Sequence, residues 1–560
     1  MDNKNLIIAV VLCVAILWGY TTFIAPQPEK SPAQVATQRQ QAQNAAKQPA
    51  ASTAPAYSPQ GSQGLPATAA PGAAAAPVVN QAPDVVVNTP LYRAVFSQRG
   101  GALRRVILKK YTQQPQGQGG EYVLLDLSGS DPYSLGLSLP GLDPALDRRL
   151  YEPNVKELSL APGQEPKSLV FTTQSAGIKV VKTYTFKPQN YAFELKVSLT
   201  NLGGAALELT PELVLAEHAD KAQGNTYAFT GLLAYVDHSL FEESHSDLEK
   251  KKIKSGSIDW MAMSIPYFLG AVAPLGQEAA TLKRSARGFA EANLMTATLV
   301  EPSIQLAPGQ ESSQSYLVYY GPRDLELMEP LGHNLERAVD FGYLDLLAKP
   351  MLAALNFLEG HVGNYGIAII IITILIKLVF WPLSQKSYKS MKKMQDLKPH
   401  IDKLREKYKD DKMKLQQETM QLYKTYKVNP MGGCLPMVLQ IPVFIAFYKV
   451  LGASIELRHA PFFLWINDLA APDRLPIGFE IPYVGHGIPV LTLLMGASMF
   501  IQQKMTPTTG DPTQAKMMLL MPVVFTFMFI NFPSGLVLYW LFNNVLSIGQ
   551  QYWTNKQRAK

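Results

Sequence analysis

Residues 366–381 read GIAIIIITILIKLVFW, and this stretch decides how the rest of the chain is interpreted. Its composition is typical of a transmembrane helix, and Lys377 is its only ionisable residue. A charge inside a membrane is costly unless it meets water, a partner or a substrate, so Lys377 is a candidate functional residue. The alternative is snorkelling, because Lys377 lies only six residues before Leu383, or about 9 Å along a helix, and its side chain could reach the headgroups.

Further apolar runs divide the chain into membrane and soluble parts. We predict six transmembrane helices: an N-terminal anchor over residues 1–25 and spans over 363–383, 434–452, 488–503, 517–532 and 533–549. The apolar runs inside the last three spans, 488–502, 517–532 and 535–548, hold 15, 16 and 14 residues, about 21 to 24 Å of helix against a hydrocarbon core of about 30 Å, so buried core helices remain an alternative. Lys504 and Lys516 bracket one connection, and Trp465 and Trp540 lie near predicted interfaces, which favours the membrane.

The first apolar run could instead be a cleaved signal peptide. A cleavage site is poorly formed there, because Phe23 lies two residues before Ala25 and Pro26 follows it. We therefore expect an uncleaved anchor. The two cysteines, Cys13 and Cys434, lie in or beside predicted spans, so a disulfide framework is not expected.

Charge predicts the orientation in the membrane. Residues 384–433 contain thirteen Lys or Arg against six Asp or Glu, an excess of seven that equals the net charge of the whole chain. By the positive-inside rule this segment is cytoplasmic. The connection 504–516 and the tail 550–560 are then also cytoplasmic, as is the N-terminus, whereas the loop 453–487 is periplasmic.

The soluble part outside the membrane begins with a linker. Residues 26–83 are rich in Pro, Ala and Gln, a composition that favours a flexible tether. Residues 84–335 then show the two-residue alternation of β-strands, clearest over 191–200, with a second candidate strand over 179–186. We predict a large all-β periplasmic sandwich domain.

Several acids and histidines of this domain could be imagined as a sugar or metal site. We interpret them as solvated loop residues, because they show no ligand spacing. They are Glu217, His218, Asp237, His238 and His245.

An amphipathic helix is predicted between the sandwich and the second span. Over residues 336–362, Leu344, Leu347, Met351 and Leu355 recur at helical spacing. An interfacial position on the membrane is one interpretation, and packing against the sandwich is the alternative.

The basic segment 384–433 is predicted to form a helical hairpin. One apolar stripe runs from Met391 to Tyr408 and is interrupted by Pro399, and a second comprises Met413, Met420, Tyr423 and Tyr426. Its cationic face is expected to attract anionic lipids, with ribosome or targeting-factor contact as an open possibility. The candidate contact residues are Lys392, Lys393, Lys403, Lys407 and Lys414.

Enzymatic motifs are missing from the sequence. It contains no G-x-S-x-G, H-E-x-x-H or G-x-x-x-x-G-K-[ST] pattern. We therefore expect neither an enzyme nor a bound cofactor or metal, and we expect no DNA partner.

Four separate motifs resemble one known family. They are NPMGGCLPMVLQIPVF at 429–444, ELRHAPF at 456–462, QKMTPTT at 503–509 and FPSGLVLY at 532–539. Together they resemble the YidC/oxidase-assembly/Albino family of membrane-protein insertases, in its Gram-negative form with a large periplasmic domain. The resemblance covers essentially the whole chain.

The resemblance implies a function and a site. The family has a five-helix core around a hydrophilic groove, open to the cytoplasm and lipid and closed toward the periplasm. Lys377 occupies the place of the groove's usual arginine. Lysine keeps the charge but cannot make the paired hydrogen bonds of a guanidinium to a client carboxylate, so a mechanism that needs them is put in doubt. Thr373 and Gln440 match further groove positions. The implied clients are nascent inner-membrane proteins, and the implied partners are the Sec translocon, the ribosome and the signal recognition particle pathway.

Two other functional classes remain alternatives. A secondary transporter with an intramembrane lysine would be expected to show internal repeats and paired discontinuous segments, and we find neither in the sequence. A carbohydrate-binding sensor would use the sandwich as its working part. Deletion of the sandwich would separate the classes, because an insertase should survive the deletion and a sensor should not.

Overall fold

The computed structural model describes residues 83–556 with several gaps. The gaps are residues 144, 219–228, 249–252, 277–282, 292–293, 410, 427, 429–434, 481–483, 486 and 507–511. The predicted anchor at 1–25, nearly all of the linker at 26–83, both cysteines and the tail beyond residue 556 lie outside the described residues.

The first part of the described chain is built of β-strands. The strands are β1 (Asp84–Asn88), β2 (Tyr92–Ser97), β3 (Ala102–Thr112), β4 (Glu121–Asp126), β5 (Gly136–Ser138), β6 (Glu152–Pro153), β7 (Glu157–Ser159), β8 (Lys167–Ser175), β9 (Ile178–Phe186), β10 (Ala192–Asn201), β11 (Leu207–Leu209), β12 (Glu212–His218), β13 (Gly231–Val236), β14 (Ser239–Ser244), β15 (Ile253–Ile265), β16 (Phe268–Leu275), β17 (Lys283–Glu291), β18 (Leu294–Val300), β19 (Ile304–Leu306) and β20 (Glu311–Pro322).

These strands form two large sheets and one small pair. The first sheet has the order β4-β3-β2-β1-β7, and the second follows the path β5-β12-β18-β17-β15-β16-β20-β10-β9-β8-β6, with β13 and β14 branching from β15. The third sheet pairs β11 with β19. Antiparallel pairing dominates, as the alternating sequence predicts.

The two large sheets face each other across an aromatic core. Phe96 of the first sheet lies with its ring centroid 4.6 Å from that of Tyr184, 5.9 Å from Phe186 and 6.3 Å from Phe193 of the second. The inward residues of β10, including Phe193 and Leu195, are buried, while Lys196 points outward. The predicted sandwich and both candidate strands are therefore confirmed.

One inward position of the sandwich carries a lysine. Lys182 on β9 is fully buried between the sheets, and its Nζ donates to Gly100 O at 2.8 Å and to Leu135 O at 2.9 Å. The ammonium also lies 5.4 Å from the ring centroid of Tyr151. Burial lowers the pKa of Lys182 from 10.5 to about 7, opposed by the negative charge of Asp147.

We expect this buried lysine to make the stability of the sandwich depend on pH. Because the folded pKa lies below the unfolded one, the unfolded chain binds more protons between about pH 7 and 10.5, and stability rises with pH across that window. Lys182→Met should remove a contribution of about 2 to 4 kcal/mol from this rise. Urea pulse proteolysis of the full-length protein at pH 7 and pH 10 measures it.

The neighbouring Lys179 supplies the control for that measurement. It lies on the same strand but points away from the core. Lys179→Met should therefore keep the slope of the parent protein. If stability rose with pH as steeply in Lys182→Met as in the parent protein, Lys182 would not be the source of the pH dependence.

Helices follow the strands. They are α1 (His245–Leu248), α2 (Leu325–Met328), α3 (Asp345–Val362), α4 (Tyr365–Asp396), α5 (Lys398–Lys407), α6 (Lys412–Thr425), α7 (Leu435–Ala453), α8 (Val490–Met505), α9 (Pro512–Phe529) and α10 (Ser534–Lys556). Most buried apolar residues of the sandwich and of the helical part belong to one continuous cluster, and Met394, Leu397, Ile401 and Val428 form a second one.

Helix α3 is shorter than the predicted segment 336–362, because residues before Asp345 form separate 3-10 turns. It packs against α4 and α7. Leu352 and Leu355 are buried in these contacts, whereas Leu346 and Phe357 are exposed. An exposed apolar face on a helix beside α4 agrees with a position at the membrane surface.

Helix α4 begins where the sequence predicts and ends later. The side chain of Asn364 caps it by accepting from Ile367 N at 3.1 Å. The helix continues to Asp396, past the predicted end of the span at residue 383, because polar residues end an apolar run without ending a helix. For the same reason α10 runs on to Lys556, beyond the predicted 549.

Helix length and hydropathy identify candidate membrane spans. Within the described part of the chain, α4 alone has the length and the mean hydropathy needed to cross a membrane. Two shorter apolar helical segments are Gln440–Ala453 and Met517–Phe529.

The basic segment forms two packed helices, α5 and α6. Pro399 lies in the first turn of α5, and Asp411 caps α6 by accepting from Lys414 N at 3.0 Å. Ile401 is buried in the contact, as the first predicted stripe requires.

The second predicted stripe of this segment is wrong in part. Met413 is 80% exposed, and Met420 and Tyr426 are also exposed. Of the predicted stripe, Tyr423 makes the contact, together with Leu422, which was not predicted. A short helix with apolar residues on two faces does not reveal by spacing which face its partner covers.

Candidate functional site

Lys377 lies on the inward face of α4. It shares this buried face with Ile369 and Ser384, whereas its neighbour Leu378 is exposed. The side chain is 9% exposed, and its Nζ donates to Asn543 Oδ1 at 3.2 Å and to Ser547 Oγ at 2.5 Å, both on α10. The lysine therefore points between helices, which overturns the snorkelling alternative for this structure.

Asn543 connects Lys377 to the third predicted span. Its Oδ1 also accepts from Gln440 Nε2 at 2.9 Å, and the same Gln440 nitrogen lies 3.5 Å from Tyr539 OH. Helices α4, α7 and α10 thus meet in one polar network, in which Lys377 is the charged member. We call Lys377, Gln440, Asn543 and Ser547 the lysine network.

The acceptors of Lys377 in this network are neutral. An amide oxygen and a hydroxyl satisfy the donor valence of an ammonium without cancelling its charge. Hydrogen bonds to a charged group contribute about 1.5 to 3 kcal/mol each, enough to hold the side chain in place. The arrangement can host a cation and leave it available to an anionic group.

Thr373 does not join the lysine network. It is 1% exposed, and its Oγ1 donates to Ile369 O at 2.7 Å on its own helix. A threonine in a helix can donate its hydroxyl to the carbonyl four residues earlier. Thr373 therefore lies one turn from Lys377 without bonding to the lysine network. The expected groove position of Thr373 is a buried packing position in this structure.

Asn543 and Ser547 were missed from the sequence. A signal was present, because Asn543 and Asn544 interrupt the apolar run 535–548, and polar residues inside a predicted span are functional candidates. Their spacing places Asn543 and Ser547 one turn apart on the same face. Asn544 faces the other way, and its Nδ2 donates to Ser498 Oγ on α8 at 3.0 Å.

Polar contacts also join the helices beyond the lysine network, toward the C-terminal end of α10. Gln550 donates to Trp381 O at 3.3 Å, Gln551 donates to Met505 O at 2.7 Å, and Thr554 donates to Gln385 Oε1 at 3.0 Å. These contacts tie α4 and α8 to the last turns of α10. The interior between the three helices is therefore polar at this end.

Exposed apolar side chains cover the outer faces of these helices. They are large and lie on neighbouring helices: Leu375, Leu378 and Val379 of α4, Leu493 and Leu494 of α8, and Leu520 and Phe527 of α9. A soluble protein rarely exposes so much contiguous apolar surface, which indicates contact with lipid.

Loop residues make hydrogen bonds with the helix ends at the opposite end of the bundle. Asp473 accepts from Trp465 Nε1 at 2.6 Å and from the backbone nitrogens of Leu491 and Thr492 at the start of α8. Arg474 donates to Ile530 O at 2.8 Å beyond the end of α9. Asp473 and Arg474 thus connect the loop to α8 and to the end of α9.

Arg458 joins this loop region to the sandwich. Its guanidinium donates to Thr112 O at 2.9 Å and lies 4.8 Å from the ring centroid of Tyr122. Burial and the nearby positive charge of Arg458 lower the pKa of His459 to about 4, so His459 is neutral at pH 7. Arg458 therefore carries the positive charge of this pair.

The predicted hairpin lysines are mostly solvent-facing. Lys393, Lys403, Lys407 and Lys414 are exposed and Lys392 is half-buried. Lys407 and Lys414 lie 5.3 and 5.6 Å from the ring centroid of Tyr408. The five side chains are spread over α4, α5 and α6 and form a surface rather than a pocket.

The sandwich residues considered as a ligand site are dispersed. Glu217 and His218 belong to β12 and His245 begins α1, so the interpretation of these three as loop residues is wrong. Glu217 is buried, and His218 lies 3.0 Å from Ser130 Oγ. Asp237 and His238 form the β13–β14 turn. Among the residues that the structure describes, no group of three His, Cys, Asp or Glu could hold a metal ion.

Comparisons with known proteins cover the whole chain. A family profile described as "60Kd inner membrane protein" matches residues 357–560, and one described as "YidC periplasmic domain" matches residues 84–354. A protein of Syntrophus aciditrophicus named "Membrane protein insertase YidC" is 44% identical over 568 residues, covering 100% of each chain. One of Geobacter sulfurreducens with the same name is 43% identical, covering 99% of this chain and 98% of its own.

A similar solved structure is titled "Active YidC insertase crystal structure with the first transmembrane domain resolved". It is 18% identical, with a TM-score of 0.37, and the match covers 85% of this chain and 94% of the other.

Proposed function

The chain belongs to the YidC family of membrane protein insertases, and we propose that it passes the polar segments of its clients along the lysine network. It is an insertase of the inner membrane with a periplasmic domain. The proposed path is a hydrophilic groove between α4, α7 and α10, open to the cytoplasm and to lipid. The insertase acts alone or together with the Sec translocon.

The observation that carries this proposal is the ammonium of Lys377 held between helices by neutral acceptors. A cation with no carboxylate among these two partners can bind a client carboxylate without first breaking an ion pair. The polar, often acidic, external segment of a client then leaves water only partway, while its apolar segment moves into lipid. The cost of burying the client's charge is reduced by the opposite charge of Lys377.

Two further features support this mechanism. The paired loop residues around Asp473 and Arg474 favour a groove closed on the periplasmic side. The short apolar segments of α7 and α9 are expected to thin the bilayer locally, which shortens the distance over which a client is dehydrated.

The proposed topology has six spans and both termini in the cytoplasm. The spans are residues 1–25, 363–383, 434–452, 488–503, 517–532 and 533–549, of which the last five form the insertase core. The basic segment 384–433, the connection 504–516 and the tail 550–560 face the cytoplasm, and residues 84–335 and 453–487 face the periplasm. The excess of seven positive charges in 384–433 supports this orientation.

An accessibility experiment tests the groove. In a background without Cys13 and Cys434, Gln440→Cys should react with a membrane-impermeant thiol reagent from the cytoplasmic side, and a stalled nascent client should protect it. Thr373→Cys should stay unlabelled from either side because that position is buried.

Phe463→Cys, in the exposed part of the periplasmic loop, is the positive control for labelling from outside. Labelling of Gln440→Cys from the periplasm alone, or equal labelling with and without the client, would contradict the groove.

The hairpin is proposed to bind ribosomes, targeting components and anionic lipids through its charge. Replacing Lys392, Lys393, Lys403, Lys407 and Lys414 with glutamine should weaken ribosome binding at low salt by about 10-fold or more and flatten its salt dependence. Co-sedimentation of ribosomes with the protein in neutral-lipid nanodiscs measures ribosome binding. Binding of the protein to anionic vesicles measures the contribution of lipid separately.

The control for this variant removes the same charge elsewhere. Five exposed lysines of the sandwich are replaced: Lys110, Lys156, Lys167, Lys187 and Lys196. Equal binding by the two variants would leave the basic face with a topological role only.

A further inference from the structure

The side-chain amide of Asn543 is shared by two donors. Its Oδ1 accepts from Lys377 Nζ at 3.2 Å and from Gln440 Nε2 at 2.9 Å. The reversed amide would point its NH2 group at an ammonium, so the two donors fix which end faces Lys377. One neutral oxygen therefore occupies the space between the cation of α4 and the amide of α7.

We infer that Asn543 is a placeholder for the client carboxylate: its Oδ1 occupies the position on Lys377 that an acidic client side chain takes during insertion. Asn543 is thus a positioning residue that holds the binding position on Lys377 until an acidic client takes it. The inference rests on the proposed role of Lys377 as a counter-charge.

The chemistry of the three groups makes this exchange possible. A carboxylate is a stronger acceptor for an ammonium than a neutral amide, so it can displace the Asn543 oxygen from Lys377. The displaced oxygen keeps its hydrogen bond to Gln440, which avoids leaving a buried acceptor without a partner. Ser547 continues to hold the Lys377 side chain during the exchange.

An acid at this position should therefore act as a built-in competitor. Asn543→Asp is nearly isosteric but would form a permanent ion pair with Lys377, which a client carboxylate cannot displace by charge. We expect the ratio of insertion of an acidic-tailed client to that of its neutral-tailed counterpart to fall by about 10-fold, from the loss of the attraction between opposite charges. Asn543→Ala, which removes the acceptor without adding charge, should change this ratio by less than about 3-fold.

The adjacent Asn544 is the matched control. It lies on the same turn of α10 but faces Ser498 of α8, so Asn544→Asp adds the same charge away from Lys377. It should leave the client ratio at the parent value, even if total insertion falls. Both clients are translated into the same membrane vesicles, so a variant that folds less well lowers both values and not the ratio.

The outcomes separate this inference from the proposed function. If Lys377→Glu lowers the ratio and Asn543→Asp does not, the counter-charge role of Lys377 is supported and the placeholder role of Asn543 is wrong. If Lys377→Glu leaves the ratio unchanged, the counter-charge itself fails. Equal ratios in Asn543→Asp and Asn543→Ala, or in Asn543→Asp and Asn544→Asp, would also overturn the placeholder and leave Asn543 a packing role.

Discussion

Lys377→Glu is expected to reduce insertion of clients with acidic external segments about 30-fold, and to spare clients whose external segments are neutral. Two unit charges about 4 Å apart interact by about 4 kcal/mol at an effective dielectric of about 20. Lys377→Glu removes this attraction and adds a repulsion of similar size, a change of about 8 kcal/mol, so even if only a quarter of it acts during the transfer of the client the loss is about 2 kcal/mol, or roughly 30-fold in rate. Insertion of matched clients into membrane vesicles, detected by protease protection, gives the two rates.

Lys377→Arg and Lys377→Met are the controls for this experiment. Arginine keeps the charge, so it should retain insertion of acidic clients, and methionine should give an intermediate loss because it removes attraction without adding repulsion. Insertion of acidic clients that decreases in the order Lys377→Arg, Lys377→Met, Lys377→Glu would be specific to an effect of charge. Equal activity of Lys377→Glu and the parent on acidic clients would refute the counter-charge, and equal loss on both client types would indicate damage to the fold.

The sequence predicted the sandwich well because one face of each strand is buried and the other is exposed. The alternation over β10 therefore follows the packing residue by residue. Lys182 and Glu217 are two of the exceptions, since a polar residue inside a sheet looks in the sequence like an outward one. Only the packed sheets, with the carbonyls of Gly100 and Leu135 brought close to β9, show how the buried lysine is satisfied.

The site was predicted less completely. Lys377 stood out because a charge in an apolar run is conspicuous, and Gln440 came from the family resemblance. Asn543 and Asn544 were both visible, but the sequence alone could not tell which faces Lys377. Packing of α10 between α4 and α8 fixes its rotation, and that packing depends on contacts distant in sequence, such as Asn544 with Ser498.

The contact between α8 and α9 provides the second large effect. Gly496 of α8 lies so close to Thr526 of α9 that a Cβ at position 496 would overlap Thr526 Oγ1 and lie 3.1 Å from Thr526 Cβ. Thr526 cannot move away freely, because its Oγ1 donates to Pro522 O at 2.7 Å and β-branched side chains have few rotamers in a helix. Gly496→Val should therefore separate the two helices and destabilise the protein by about 3 kcal/mol.

Thermal unfolding of the full-length protein in detergent would measure this loss, and two variants define its cause. Gly549→Val introduces the same side chain into α10 at a position where a Cβ meets nothing within 4 Å, so it should leave the stability at or slightly above the parent value, because valine is no worse than glycine in a helix. Thr526→Ala removes the obstructing hydroxyl and methyl, and in combination with Gly496→Ala it should recover most of the stability that Gly496→Ala alone loses. If Gly496→Val and Gly549→Val were equally mild, the close approach of α8 and α9 would be wrong. Such a result would also contradict the helix packing around the groove, because Asn544 reaches Ser498 only when α8 keeps this position between α9 and α10.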